Sequence, residues 1–201
     1  MSGLGWMYGR DLPLVSVTFA RDLTPRRLLE RMGADPVTLA ERSGAEFHED
    51  FGDILFEDDA YVVTAGRYGS WAWAWEHGSW LCVEGDELLD AVSDGTAALA
   101  LHANEKPMVE FRYAENGRLV TALNTLRGIG PEHRSGHDPH RFDPELRALG
   151  ALPDTEETGP LGLRGLFYRL AEGLGVGMDQ ADLHTGKALS ARLRPRPDRT
   201  T

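Results

Sequence analysis

The chain has 201 residues, 41% of them hydrophobic, and its 32 acidic and 21 basic side chains give a net charge of −11. A soluble chain of this length buries one sizeable core, so collagenous, fibrous and wholly disordered proteins are excluded. The negative charge opposes binding to a phosphate backbone, so nucleic acid is not an expected partner.

The cysteine content and the hydropathy pattern indicate a cytoplasmic protein. Cys82 is the one cysteine and has no partner for an internal disulfide. The apolar run 12–20 is interrupted by proline and hydroxyl side chains and lacks a cleavage-site pattern, so it predicts a strand rather than a signal peptide. No stretch approaches the roughly 20 apolar residues of a membrane span, so we expect no membrane partner.

The N-terminal region reads as a strand followed by a helix. Residues 14–20 alternate with period two, as in a strand with one more apolar face. Thr24 and Pro25 are typical of a helix start, and Gly33 of a helix end. Arg21 lies between the two elements. It would either hold an anion near the helix start or serve as a structural partner of Glu76 or Asp22.

The segment 46–59 has the highest density of carboxylates. Phe47, Phe51 and Leu55 are spaced by four residues and predict one face of a helix, which Gly52 weakens. The segment lacks the ligand spacing of a calcium-binding EF-hand loop. We interpret it as a solvated helix face or as a surface for a basic partner. Its candidate partner-binding residues are Glu46, Glu49, Asp50, Asp53, Glu57, Asp58 and Asp59.

The middle of the chain is rich in predicted strands. Residues 68–69 and 115–117 are typical of hairpin turns, and a helix is predicted over 86–92. These strand, turn and helix patterns predict an α+β fold with a mainly antiparallel five- to six-stranded sheet, flanked by N-terminal and C-terminal helices. The predicted strands cover 14–20, 61–67, 70–76, 96–102, 109–114 and 118–123, and residues 80–84 either extend the sheet or lead into a helix.

The C-terminal part predicts short helices over 144–149 and 163–173. Residues 187–201 carry five basic and one acidic side chain and include two prolines, so they predict a flexible basic tail. That tail would lie against acidic side chains of the same chain. We therefore expect a single domain over residues 1–186 and a tail over 187–201.

Several short motifs resemble those of one protein family. They are the run 17–25, Trp71 five residues before Glu76, the run 93–96, the run 134–139 before a helix, and 170–176. The chain resembles a family of proteins of about this length, of unknown function, from high-G+C bacteria. The resemblance covers most of residues 4–185 and implies no activity, cofactor or catalytic residue. The triple tryptophan departs from the family pattern.

Trp71, Trp73 and Trp75 alternate along a predicted strand, so their indoles share one face. An exposed row of this kind would bind flat apolar groups and is a candidate partner-binding surface. The alternative is that the indoles form a core layer, while the intervening alanines accommodate a neighbouring element. The spacing alone leaves both interpretations open.

A catalytic interpretation is weaker. Glu76 and Glu84 would serve as acid and base together with the histidine-containing loop from His133 through His137 to His140. The alternative is that Glu76 is solvated or paired with an arginine. Prolines and a glycine in the loop prevent the helix that aims two histidines at one metal, so no metal ligands are assigned.

The sequence therefore favours a non-catalytic accessory or regulatory protein, for example of the immunity type, that recognises a protein partner through an acidic surface. No cofactor and no catalytic residue are predicted. The alternative function is a small hydrolase or a metal-assisted enzyme that uses Glu76, Glu84 and the histidine loop.

Overall fold

The computed structural model describes residues 3–7, 12, 14–55, 57, 60–104, 108–125, 129–155, 157–184 and 186–194. Within these ranges the strands are β1 (Leu14–Arg21), β2 (Ala40–Arg42), β3 (Val62–Tyr68), β4 (Trp71–His77), β5 (Ala97–Asn104), β6 (Val109–Glu115), β7 (Arg118–Thr125), β8 (Arg134–Ser135) and β9 (Ala188–Arg192). The helices are α1 (Pro25–Met32), α2 (Gly44–Phe51), α3 (Glu87–Ser93), α4 (Asp143–Ala148), α5 (Gly162–Gly173) and α6 (Gln180–His184).

All strand pairs are antiparallel and form one sheet in the order β2-β9-β3-β4-β1-β5-β6-β7-β8. The predicted α+β class and antiparallel sheet are confirmed, whereas the predicted number of five to six strands is wrong, because the described residues form nine. The six predicted strands correspond to β1 and β3 to β7. Residues 80–84 form a turn and do not extend the sheet.

The three additional strands are short or pair with distant parts of the chain. β2 and β8 have three and two residues, too few for a period-two pattern to register. β9 lies between β2 and β3, with Ser190 opposite Ala40 and Ala191 opposite Val63. The structure thus differs from the predicted tail at 187–201, because its first part is paired within the sheet. Residues 195–201 lie outside the described ranges.

Local capping fixes the first two helices. Thr24 accepts a hydrogen bond from the Arg27 N–H at 3.2 Å, and Gly33 ends α1 with φ of 91°, a conformation that glycine adopts without strain. α2 begins after Ser43 and ends at Phe51, so the helix predicted within 46–59 is shorter than expected and starts earlier. Asp53 lies in the turn that follows α2, and Glu57 lies in a bend beyond it.

Side chains of alternate residues build two different faces of the sheet. The aromatic face, defined by Phe19, Phe111 and the three tryptophans of β4, packs against α4, α5 and the short 3-10 helix Gly5–Met7. The alanine face packs against α1 and α3, and is defined by Ala20, Ala72, Ala74, Ala98, Ala100 and Ala114. Each face is closed by its own apolar core.

Among the helices of the described ranges, none combines the length and the apolar composition that crossing a membrane requires.

Candidate functional site

The tryptophan row lies in the core of the aromatic face. Trp71, Trp73 and Trp75 are at most 9% exposed. Trp6 stacks on Trp75 with 6.4 Å between ring centroids. Trp73 lies so close to Gly66 that a Cβ there would come within 2.3 Å of the ring. The row is therefore a core layer, and its indoles present no open stacking surface.

Glu76 is the buried anchor of the loop that follows β4. Its side chain is 1% exposed, and its carboxylate accepts hydrogen bonds from Ser79 Oγ at 2.7 Å and from the N–H groups of Leu81 at 2.7 Å and Cys82 at 2.9 Å. Burial raises the pKa of Glu76, although the three donors favour the ionised form. The carboxylate is buried away from solvent, and no arginine in the described part of the chain pairs with it. It holds the chain on both sides of Trp80.

Trp80 is the exposed tryptophan of this loop, with 48% of its surface accessible. It forms part of a pocket of about 360 Å³, located where β3 begins and β4 ends. The pocket combines an apolar and aromatic lining with two carboxylates. Its lining includes Leu55, Ala60, Tyr61, Trp80, Glu57 and Glu84. From the sequence, Glu84 is predicted only as a catalytic partner of Glu76.

Two residues of the acidic segment have structural roles in α2. Glu46 forms a capping box with Ser43, whose N–H donates to the Glu46 carboxylate at 2.8 Å. Asp50 accepts a hydrogen bond from Arg42 Nε at 2.6 Å, and the Arg42 guanidinium also lies over the Phe51 ring at 4.6 Å. These contacts fix α2 against β2 and occupy both carboxylates.

The other described carboxylates of the segment point into solvent. Glu49, Asp53 and Glu57 are exposed, and no ion pair within the described ranges engages any of them. Glu57 also lines the pocket beside Trp80. Asp58 and Asp59 lie outside the described residues. We refer to Glu49, Asp53 and Glu57 as the acidic surface.

The histidine loop is organised by a buried arginine. The Arg134 side chain is 1% exposed, forms an ion pair with Asp143, and donates to the carbonyls of Ile129 at 2.7 Å and Pro153 at 2.8 Å. Burial disfavours ionisation of Asp143, but the hydrogen bonds from Arg134 and His140 outweigh it and lower the pKa of the carboxyl. The loop is thus a structural connection between β8 and α4.

The histidines of this loop do not converge. His137 Nδ1 lies 2.8 Å from the Leu119 carbonyl oxygen, and His133 Nε2 lies 3.5 Å from Glu132. No group of three or more His, Cys, Asp or Glu that could hold a metal ion is found in the described part of the chain. Five strand spacings separate β4 from β8, about 24 Å at the usual inter-strand distance. The sheet therefore keeps Glu76 apart from the loop.

Arg21 contributes to packing at the end of β1. Its guanidinium carbon lies 5.9 Å from the centroid of the Trp71 ring. Trp71 is its partner across the strand pair, whereas Glu76 lies five residues further along β4. Within the described ranges no ion pair joins Arg21 to Glu76 or Asp22.

The alanine-face side carries a row of buried polar residues that is not predicted from the sequence. Ser16 pairs with His102 across the sheet, with 2.9 Å between Oγ and Nδ1, and His102 in turn pairs with Glu110. Burial lowers the pKa of His102 and raises that of Glu110. Ser16 and His102 are at most 2% exposed, so solvent does not reach the pair. Polar residues at period-two positions were the available signal, but only the strand register brings them together.

The Glu110 end of this row supports the loop that carries Trp80. Arg112 forms an ion pair with Glu110 at 3.3 Å and another with Asp86 at 3.2 Å, and it donates to the Gly85 carbonyl at 2.9 Å. Cys82 is fully buried among these groups, and burial raises the pKa of its thiol. The loop is thus held from two sides, by Glu76 and by Arg112.

The comparisons with known proteins give a family and no function. No curated protein and no solved structure matches this sequence. Residues 14–162, which include β1 to β8 and α1 to α4, match the model of a family described as "Family of unknown function (DUF6461)". Because this match spans well over half of the 201 residues, the chain belongs to the DUF6461 family of unknown function.

Proposed function

We propose that this protein is a non-catalytic, cytoplasmic accessory or regulatory protein that recognises a basic protein partner through its acidic surface. The observation that carries the proposal is the exposure of Glu49, Asp53 and Glu57, without an ion pair in the described ranges, beside a partly apolar pocket. Clustered carboxylates of this kind attract a partner of opposite charge and fix its orientation.

The scaffold beneath the acidic surface supports this role. The capping box at Ser43 and the contact from Arg42 to Asp50 hold α2 in place before any partner arrives. A surface that is already ordered loses less conformational entropy on binding than a mobile segment does. The net charge of −11 adds long-range attraction for basic proteins, which salt weakens.

Affinity purification from the source cells, followed by mass spectrometry, tests the proposal. The bait is the full chain, the charge-reversal variant E49K/D53K/E57K, or the matched variant E132K/D138K/E157K. The matched variant changes the net charge equally, at exposed positions near β8 and α4. We expect a basic protein to copurify with the wild type and the matched variant, and to be lost with E49K/D53K/E57K.

Binding of the recovered partner to the purified chain should weaken with increasing salt, because the contacts are between exposed charges. An unchanged partner set for the E49K/D53K/E57K bait contradicts the proposal. So does the absence of any basic protein that copurifies with the wild type.

A further inference from the structure

The pocket beside the acidic surface has the chemistry of a cation site. Its lining includes the exposed Trp80 and the acidic residues Glu57 and Glu84. An indole face attracts cations, and a carboxylate pairs with them, so the two kinds of group favour the same ligand. The remaining lining includes Leu55 and Ala60, which suit an apolar chain.

We propose that this pocket receives an arginine side chain of the basic partner. The inference rests on the proposed function for the identity of the partner, but the pocket itself is argued from its own lining. The ligand of the pocket is a guanidinium group carried by a peptide chain.

Arginine fits the lining better than lysine does. The planar guanidinium stacks on an aromatic ring and offers several N–H donors to carboxylates, whereas the lysine ammonium is a strongly hydrated point charge. The methylene stem of arginine would lie against Leu55, Ala60 and the ring of Tyr61. A volume of about 360 Å³ accommodates the whole side chain together with part of the adjoining backbone.

Glu76 is the positioning residue of this pocket. It contacts Ser79, Leu81 and Cys82, which flank Trp80 in the sequence, and it leaves the indole itself directed toward solvent. A fixed loop places the aromatic wall before the ligand binds, which lowers the entropic cost of binding. The burial of a carboxylate at this point therefore has a consequence for recognition as well as for folding.

The test uses purified full chain and Nα-acetyl-arginine methylamide as the probe, so it needs no knowledge of the partner. We follow the Trp80 indole N–H and the backbone N–H groups of Gly78 and Ser79 by NMR during the titration. We expect saturable shifts at roughly millimolar probe. The norleucine analogue, which lacks the charge, should produce none, and the lysine analogue should bind a few-fold more weakly.

Variants separate the pocket from general electrostatics. W80A should weaken arginine-probe binding about tenfold, and E57Q/E84Q about fivefold. The control E132Q/D138Q removes the same number of charges at exposed positions outside the pocket lining and the acidic surface, and it should change the affinity less than twofold. Trp80 is exposed, so W80A is expected to fold, and circular dichroism checks this.

The proposal is overturned if the full chain shows no saturable shift, or if E57Q/E84Q binds the probe as tightly as the wild type. Tighter binding by R196S/R199S would identify the chain's own C-terminal arginines as the occupants and would also overturn the assignment to a partner. Failure of the probe together with charge-dependent partner capture would leave the proposed function standing. Saturable probe binding without charge-dependent partner capture would support the pocket assignment and contradict the proposed function.

Discussion

The aromatic face and the alanine face are built from alternate residues of the same strands, yet they are covered in different ways. On the aromatic face, rings such as Trp73 and Phe111 fill most of the space, and α4, α5 and a short 3-10 helix complete the core. On the alanine face, methyl groups such as those of Ala74 and Ala100 let α1 and α3 approach the strands closely. Side-chain volume thus decides which element covers each face.

The alanine face, unlike the aromatic face, continues into a row of buried polar groups. The Ser16 and His102 pair and the carboxylate of Glu110 continue the alanine-face positions toward one end of the sheet. There, the loop after β4 covers the strands, and Arg112 binds its backbone at Gly85. At this end of the sheet, Glu76 and Arg112 occupy alanine-face positions, and they bind the backbone N–H groups of Leu81 and Cys82 and the carbonyl of Gly85.

The largest expected loss of stability comes from truncating a side chain of the aromatic face. Trp73→Ala should lower the free energy of unfolding by about 3–5 kcal/mol, because it leaves a cavity in a closed core. Urea denaturation measures this change. The control is Trp80→Ala, which removes the same side chain from a half-exposed position and should cost less than about 1 kcal/mol. Equal losses for the two variants would contradict the division into core and surface tryptophans.

A smaller loss of stability is expected from enlarging a side chain of the alanine face. Ala100→Leu should lower the free energy of unfolding by about 1–3 kcal/mol, because the added carbons meet helices that already pack against the sheet. Ala40→Leu, on the exposed strand β2, provides the control and should change stability by less than about 0.5 kcal/mol. If Ala100→Leu proved neutral or stabilising in the same denaturation assay, close helix approach would not be the reason for alanine there.

The smallest effect concerns the pH dependence of the two buried carboxyls. The pKa of Glu76 is raised above 4.5, so its folded form retains a proton that the unfolded chain has lost, and stability falls as pH rises through this range. The pKa of Asp143 is lowered below 3.8, so its contribution is present above that value and is lost as pH falls. Each slope is at most about 1.4 kcal/mol per pH unit.

Denaturation of Glu76→Gln and Asp143→Asn from pH 3 to pH 8 measures these contributions as differences from the wild type. Relative to the wild type, Glu76→Gln should gain stability as pH rises above 4.5, and Asp143→Asn should gain stability as pH falls below 3.8. Differences that stay constant over the range would contradict the shifted pKa values. If the stability differences of the two variants changed with pH in the same direction, the contrast between the two carboxyls would be contradicted.

Local signals explain which elements could be predicted. Thr24, Pro25 and Gly33 mark the ends of α1 by their own backbone preferences, and Asn116-Gly117 marks the hairpin between β6 and β7 with φ of 51° and 75°. β9 could not be predicted in this way, because its short stretch of small residues becomes a strand only by pairing with β2 and β3. The strand count was too low because β9 lacks a local signal and because β2 and β8 are too short for a period-two pattern.

The candidate site was predicted only in part. The density of carboxylates in 46–59 drew attention to α2, but the sequence could not separate Glu46 and Asp50, which hold the helix, from Glu49 and Asp53, which face solvent. The tryptophan row was correctly placed on one face, and its burial depended on α5 and the N-terminal segment. The exposure of Trp80 could not be predicted, because a single aromatic residue in a loop has no periodicity.

The sequence by itself determined the alternation of the strands, the turns between them, the ends of α1 and the acidic balance of the chain, because each depends on neighbouring residues or on composition. The tertiary structure decided the order of the strands, the burial of Glu76 and the pocket formed where Trp80 meets the turn after α2. These features depend on which distant segments pair and in what register. A shift of one residue in that register would exchange the two faces of the sheet.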